Sequence, residues 1–187
     1  MNEVHAVKCK DVLNMIPRLL EKHYNEQIAD VWRFGINTAL RISDLLSIKL
    51  SDIEQHNDSH QVRLVEQKTG KAAEVYLNDS AMAIVRKIRT IHPDNVYLFQ
   101  SYSKNQKKIK PITRQAVSGA FKEVGNIVGV SINTHSMRKT RGYHIYQNTK
   151  NIALVMKMLR HSSEAHTMRY IGIERGDMIN LANDFNL

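Results

Sequence analysis

The 187-residue chain has almost nothing with which to brace itself covalently: its single cysteine, Cys9, excludes an internal disulfide and fits a reducing cytosol. Three prolines and eight glycines are too few for a disordered or loop-dominated chain. No apolar run approaches the roughly 18 residues that would mark a bilayer-crossing helix. Residues 1–10 lack the apolar stretch of a signal peptide. There is no internal repeat and no low-complexity linker, so one globular domain over residues 1–187 is expected, soluble and cytoplasmic, with no membrane contact. A Walker-type glycine loop is also missing, which argues against chemistry driven by a nucleotide triphosphate.

Acidic residues are scarce in one region. Between residues 95 and 160 twelve Lys/Arg face a single acid, Glu123, giving that segment +11 where the whole chain carries +9. Such a regional excess neutralises phosphates and releases counterions, which makes nucleic acid the leading partner. Charge alone does not name a reaction.

What is present is mostly helical periodicity. Residues 11–23 read as a helix capped by Asp11, bent at Pro17, with Val12, Met15, Ile16, Leu19 and Leu20 on one face. A second helix covers 27–38, and Ser43 is placed to cap a short turn through Leu45 and Leu46. Over residues 60–77 the period changes to two: Val62 and Leu64 alternate with Arg63 and Val65, and Lys68-Thr69-Gly70-Lys71 makes a turn before Val75 and Leu77. This predicts a β-hairpin with a basic tip. Helical spacing returns at 79–91, Thr113 caps a helix to about 128, and helices follow at 134–147, 151–160 and 163–170. The fold class is mainly α with a small antiparallel β-hairpin or sheet.

Two passages stand out: Thr134-His-Ser-Met-Arg-Lys-Thr140, and Leu159-Arg-His-Ser-Ser163, which leads nine residues beyond His161 to Tyr170. With Thr38-Ala-Leu-Arg-Ile-Ser-Asp-Leu-Leu46 and Val65-Glu-Gln-Lys-Thr-Gly-Lys71 they give the ordered series Arg41, Lys68, His135, Arg138, His161, Tyr170. A lone H-x-x-R or R-x-S-D is weak, but the ordered set resembles the active-site series of the tyrosine recombinases, the phage integrase family, over nearly a whole catalytic domain.

That resemblance implies the tyrosine recombinase catalytic-domain fold (α+β). It also implies site-specific DNA recombination by phosphoryl transfer through a covalent 3′-phosphotyrosine, in a bacterial or phage-derived, nucleoid-associated protein. The physical chemistry of the residues agrees. A phosphodiester repels nucleophiles and gains equatorial negative charge during displacement, so a site without metal or cofactor must supply cations from side chains. Arg41 and Arg138 suit this because guanidinium stays charged and offers a planar fork. Tyr170 is the nucleophile, with Arg169 adding charge beside it. His161 can donate to a non-bridging oxygen and His135 can accept or relay the tyrosine proton, a division the sequence leaves open. Lys68 is the general acid, Lys71 in the same turn being the alternative. Asp44 either orients Arg41 or His135, or caps a helix.

Other readings are milder. His144 and His166 fit surface or packing roles, His56, Asp58 and His60 lack a fourth ligand, Tyr143 and Tyr146 fit core or groove positions, and no metal site is expected. Ala39 and Arg160 stand where the family commonly has glycine. The series begins close to Met1, so the family's N-terminal core-binding domain is expected to be lacking and an accessory DNA-binding protein is expected in its place on double-stranded DNA. Residues 174–187 carry Met178, Ile179, Leu181, Ala182 and Phe185 at near-helical spacing, which predicts a tail helix with an apolar stripe, and the family resemblance implies that this helix is exchanged between subunits of a homotetramer on DNA. A catalytically weak DNA-binding regulator or accessory factor, and a topoisomerase-like relaxer, are the alternatives.

Overall fold

The computed structural model describes residues 4–56, 58–103 and 108–173. The expected tail helix over 174–187 lies outside the described residues. Helix α1 (Lys10–His23) begins earlier than the expected cap at Asp11. The amide of Leu13 already bonds the carbonyl of Cys9 at 3.0 Å, which leaves Asp11 inside the first turn, its charge near the positive end of the helix dipole. The helix continues through Pro17. Ile16 and Leu20 are fully buried, whereas Met15, expected on the same face, is 48% exposed.

Helix α2 (Glu26–Thr38) is capped by the Asn25 side chain, which accepts from the amide of Ile28 at 3.0 Å. It is the central post of the fold because its apolar residues are spread around the axis: Ile28, Ala29, Val31, Trp32 and Phe34 are all buried. Trp32 meets Phe121 edge to face with centroids 5.2 Å apart, and Phe34 meets Phe99 at 5.8 Å. The post ends at Ala39, which is left-handed at φ 54°. A non-glycine residue there costs roughly 1–2 kcal/mol. The turn reverses the chain so early that helical geometry resumes at Ile42. Arg41, not Ser43, is therefore the extended residue ahead of α3 (Ile42–Ser47), correcting the expected cap.

After a single 3-10 turn come β1 (Ile53–His56), β2 (Ser59–Val65) and β3 (Ala72–Leu77), an antiparallel sheet in the order β1-β2-β3. Val62 pairs with Val75, and Ala73, Val75 and Leu77 face inward, in agreement with the period-two reading. The strand added to the hairpin is β1, an edge strand in which Ile53 supplies the buried side chain.

Helices α4 (Asp79–Ile91), α5 (Arg114–Ile127), α6 (Ser136–Thr149), α7 (Ile152–Leu159) and α8 (Glu164–Ile171) complete the described chain. The side chains of Asn78, Thr113, Asn151 and Ser163 cap α4, α5, α7 and α8 in turn. Between α4 and α5, Tyr97 forms an isolated bridge with Lys49, and Gln100 one with Pro111. Apolar burial falls into two clusters. The larger spans α1 to α5 and the sheet. The smaller joins Ala39 to Val155, Leu159 and Ile171, with Tyr143, Tyr146 and Tyr170 packed against it. No described helix is long and apolar enough to cross a membrane.

Candidate active site

Helix α6 crosses α2 at a glycine. A Cβ on Gly35 would lie 2.1 Å from Sδ of Met137, so the two helices meet there closely, and the next residue on α6 is Arg138. Arg138 is 2% exposed. Its Nη1 donates to the carbonyl of Ala39, and its Nη2 donates to that of Leu159 at 2.7 Å. The guanidinium thus joins the end of α2 to the end of α7, satisfying carbonyls that helix termini leave without partners.

The buried face of α6 is polar. Besides Arg138 it carries Ser136, whose Oγ accepts from the amide of Asn133 at 3.0 Å, and Thr140, whose Oγ1 accepts from the amide of Val7 at 2.9 Å. Segment 4–9 therefore lies along this helix. His144, read as a surface or packing residue, bonds the carbonyl of Val7 at 3.0 Å, and Lys139 donates to the carbonyl of Val4 at 2.7 Å.

On the far side, α6 approaches α7 and α8 at Gly142, where a Cβ would meet Ile171 at 2.7 Å. The approach brings Tyr170 near enough to Arg138 for the guanidinium to act on its phenol. Burial raises the Tyr170 pKa, and the charge and hydrogen bond of Arg138 together with the charge of Arg41 offset only part of that rise. In this geometry desolvation wins, and the phenol is protonated at neutral pH. Arg169 is exposed; the cation set against the ring face is Lys139, with Nζ 5.2 Å from the centroid.

His161 stands edge-on to Tyr170, with centroids 5.0 Å apart and planes at 86°. Burial first, then the charges of Arg138, His166 and Arg41, hold its pKa down to about 4, so it is neutral at pH 7. Its Nδ1 lies 3.2 Å from Oγ1 of Thr167, whose own proton goes to the carbonyl of Ser163 at 2.7 Å. The hydroxyl oxygen can then only accept, which puts the imidazole proton on Nδ1 and leaves Nε2 its lone pair. His166, another residue set aside from the sequence, has its ring within 6.2 Å of Tyr170 at 29° and 5.0 Å from His161.

His135 precedes α6. Burial, then the charges of Arg114, Arg138, Lys139 and Lys68, lower its pKa. It is therefore a neutral base held among cations. Lys68 is exposed in the β2–β3 turn, where Gly70 adopts φ +66° and its amide bonds the carbonyl of Glu66 at 2.8 Å. Asp44 is fully buried. Its Oδ1 accepts from the amide of Gln67 at 2.9 Å, which fixes the strand end before Lys68, and its Oδ2 lies 4.0 Å from Nη1 of Arg41. Of the two partners expected for Asp44, the nearby one is Arg41.

Glu66 was missed altogether from the sequence. It is 2% exposed and its Oε1 accepts from Nη1 of Arg41 at 2.6 Å and from Nη1 of Arg160, while Oε2 accepts from Oγ1 of Thr69 at 2.7 Å. Burial would push its carboxyl up. Hydrogen bonds from Thr69 and Arg160 and the charges of Arg160 and Arg41 outweigh that and hold it below the usual range. The six residues singled out by sequence are thus assembled as an inner group of Arg41, Arg138, His161 and Tyr170, flanked by His135 and the Lys68 turn. Among the described residues no three His, Cys, Asp or Glu side chains converge to hold a metal.

The profile of the "Phage integrase family" matches residues 10–175. The chain is 39% identical over 142 residues to "Probable integrase/recombinase YoeC" of Bacillus subtilis, covering 75% of each protein. It is 28% identical over 135 residues to "Tyrosine recombinase XerA" of Pyrococcus furiosus, covering 71% of this chain and 46% of that protein. It thus spans about half the length of the Xer relative and three quarters of YoeC. Among solved structures, XerH bound to palindromic difH substrate in a post-cleavage complex superposes with a TM-score of 0.72 at 16% identity, over 97% of this chain and 53% of the other. A lambda integrase fragment dimer bound to a COC′ core site gives 0.66 at 16%, over 93% and 63%. The fold is that of tyrosine recombinase catalytic domains.

Proposed function

The chain belongs to the phage integrase family, and from that premise we propose that it recombines double-stranded DNA site-specifically, with Tyr170 as the nucleophile. The observation that carries this reading is the ring of Tyr170 set edge-on to His161 and under Lys139, within the electrostatic influence of the buried guanidinium of Arg138. The Tyr170 oxygen attacks a backbone phosphorus and forms the 3′-phosphotyrosine bond as the bond from phosphorus to the 5′ oxygen breaks. His135, a base kept neutral, takes the phenol proton, and Lys68 gives one to the departing 5′ oxygen. The ester energy is retained, so the freed 5′ hydroxyl of a partner strand can reverse the step.

Arg41 and Arg138 stabilise the equatorial oxygens of the transition state. The arriving phosphate also changes His161. An anion beside it favours the imidazolium, which then donates from Nε2 to a non-bridging oxygen while Nδ1 stays bonded to Thr167. Tyr170 is protonated in the free protein, so its oxygen becomes nucleophilic only as His135 takes the proton during attack on the phosphate. In the family four copies act around two DNA sites, and a homotetramer on DNA, assisted by an accessory DNA-binding protein, is the assembly proposed here.

The test is a pool of nicked suicide duplexes of randomised sequence, incubated with wild type and Tyr170→Phe and resolved on a denaturing gel. Wild type gives a protein-linked DNA band from which a preferred site is sequenced, and Tyr170→Phe gives none. A pool from which wild type captures nothing above Tyr170→Phe overturns the enzyme reading.

A further inference from the structure

The Glu66 carboxylate touches three parts of the site at once. Through Oε1 it holds Arg41, at the start of α3, and Arg160, which immediately precedes His161; through Oε2 it holds Thr69, the neighbour of Lys68. Its backbone closes the same turn, with the Glu66 amide donating to the carbonyl of Lys71 at 2.9 Å and the Glu66 carbonyl accepting from Gly70. A carboxylate this buried is costly unless its lone pairs are met, and here guanidinium and hydroxyl donors meet them.

Arg160 is unusual in its own right. It ends α7 in the left-handed conformation at φ 54° and ψ 48°, a geometry for which glycine is the unstrained choice. A guanidinium at that position gains the ion pair with Glu66, 94 residues away in sequence, in exchange for local strain.

We infer that Glu66 and Arg160 form a clasp that positions the Lys68 turn against Arg41 and the His161 loop, making both of them positioning residues for the leaving-group side of the reaction. The hairpin tip is exposed, so beyond its internal turn bonds and the bonds of Gln67 to Asp44 and Ser43, the clasp is what fixes Lys68 relative to Arg41 and His161. Asp44 fixes the strand end at Gln67; Glu66 fixes the turn itself. The role of Lys68 within this inference rests on its reading as general acid.

Two measurements test the clasp, and the first needs no DNA. Amide hydrogen exchange over residues 66–71 is compared in wild type, Glu66→Gln, Arg160→Gly and the double variant, each checked for a cooperative melt. Both single variants should exchange the turn about ten-fold faster or more, and the double variant no faster than Glu66→Gln alone, because the Glu66–Arg160 pair is already lost there. Unchanged exchange, or additive effects, overturns the clasp.

The second compares adduct formation on the recovered site carrying either the natural 5′ oxygen or a bridging 5′ sulfur, which leaves as thiolate without needing a proton. Glu66→Gln and Arg160→Gly should lose about ten- to a hundred-fold on the oxygen substrate, as expected for a misplaced catalytic group. They should recover to near wild type on sulfur, in parallel with Lys68→Ala. If Lys68→Ala recovers and the two variants do not, the clasp does not serve Lys68. If Lys68→Ala itself fails to recover, the general-acid reading falls, while the exchange data still decide the clasp. Faster cleavage by Glu66→Gln would make Glu66 a competitor of phosphate for Arg41 and would also overturn the inference.

Discussion

At the scale of single residues, the site is governed by desolvation as much as by charge. His161 shows this most plainly, because burial and the neighbouring cations hold its pKa near 4 against an ordinary 6.5. The unfolded chain therefore binds a proton at His161 between about pH 6.5 and 4 that the folded chain does not, and stability falls as pH drops through that window. Glu66 acts in the same sense: its lowered pKa contributes stability above the ordinary carboxylate range and loses it as the carboxyl protonates at lower pH. The expected outcome is a melting temperature that drops between pH 7 and 5, and drops less in His161→Gln. A parallel fall in both proteins would show that the burial of His161 is not what makes the fold acid-sensitive.

At the scale of elements, the close helix crossings decide where the side chains arrive. At Gly142, α6 comes so near α8 that a side chain would displace Ile171, the residue after Tyr170. Gly142→Val should cost roughly 1–3 kcal/mol by overpacking, read as a lowered melting temperature, and should slow adduct formation by moving Tyr170 away from Arg138. Wild-type stability and adduct rate would mean that α8 is not seated by this contact. What the sequence made legible follows the same division. Periodic apolar residues announced α1, α2, α4 and α5, and alternation in β2 and β3 set the hairpin. The edge strand β1 escaped because Ile53 is its one inward apolar residue, leaving no alternation to see. The helix restart at Ile42 was hidden by an alanine doing a glycine's conformational work. The six ordered residues could be read because a motif keeps its order along the chain. Glu66 and Arg160 could not, since their pairing spans 94 residues and belongs to no local pattern.

At the scale of the molecule, the site lies on the seam between two apolar clusters. The larger carries α3 and the hairpin, hence Arg41 and Lys68; the smaller carries α7 and α8, hence His161 and Tyr170. Leu159, fully buried in the smaller cluster, tests whether the two behave as separate cooperative units. Leu159→Ala should cost about 2–5 kcal/mol locally. Hydrogen exchange should quicken over residues 152–171 while α2 and α5 keep their protection. A uniform loss of protection would instead make the described fold one unit.

Arg138 has a consequence for anyone wishing to silence this protein without breaking it. Its two arms hold the carbonyls of Ala39 and Leu159, one at the end of α2 and one at the end of α7. Truncating it strands two buried acceptors, at about 1–3 kcal/mol each. On the proposed reading an inert form is therefore best made at the phenol, where losing a single oxygen leaves the scaffold joined, whereas removing the arginine also unties the end of α2 from the end of α7.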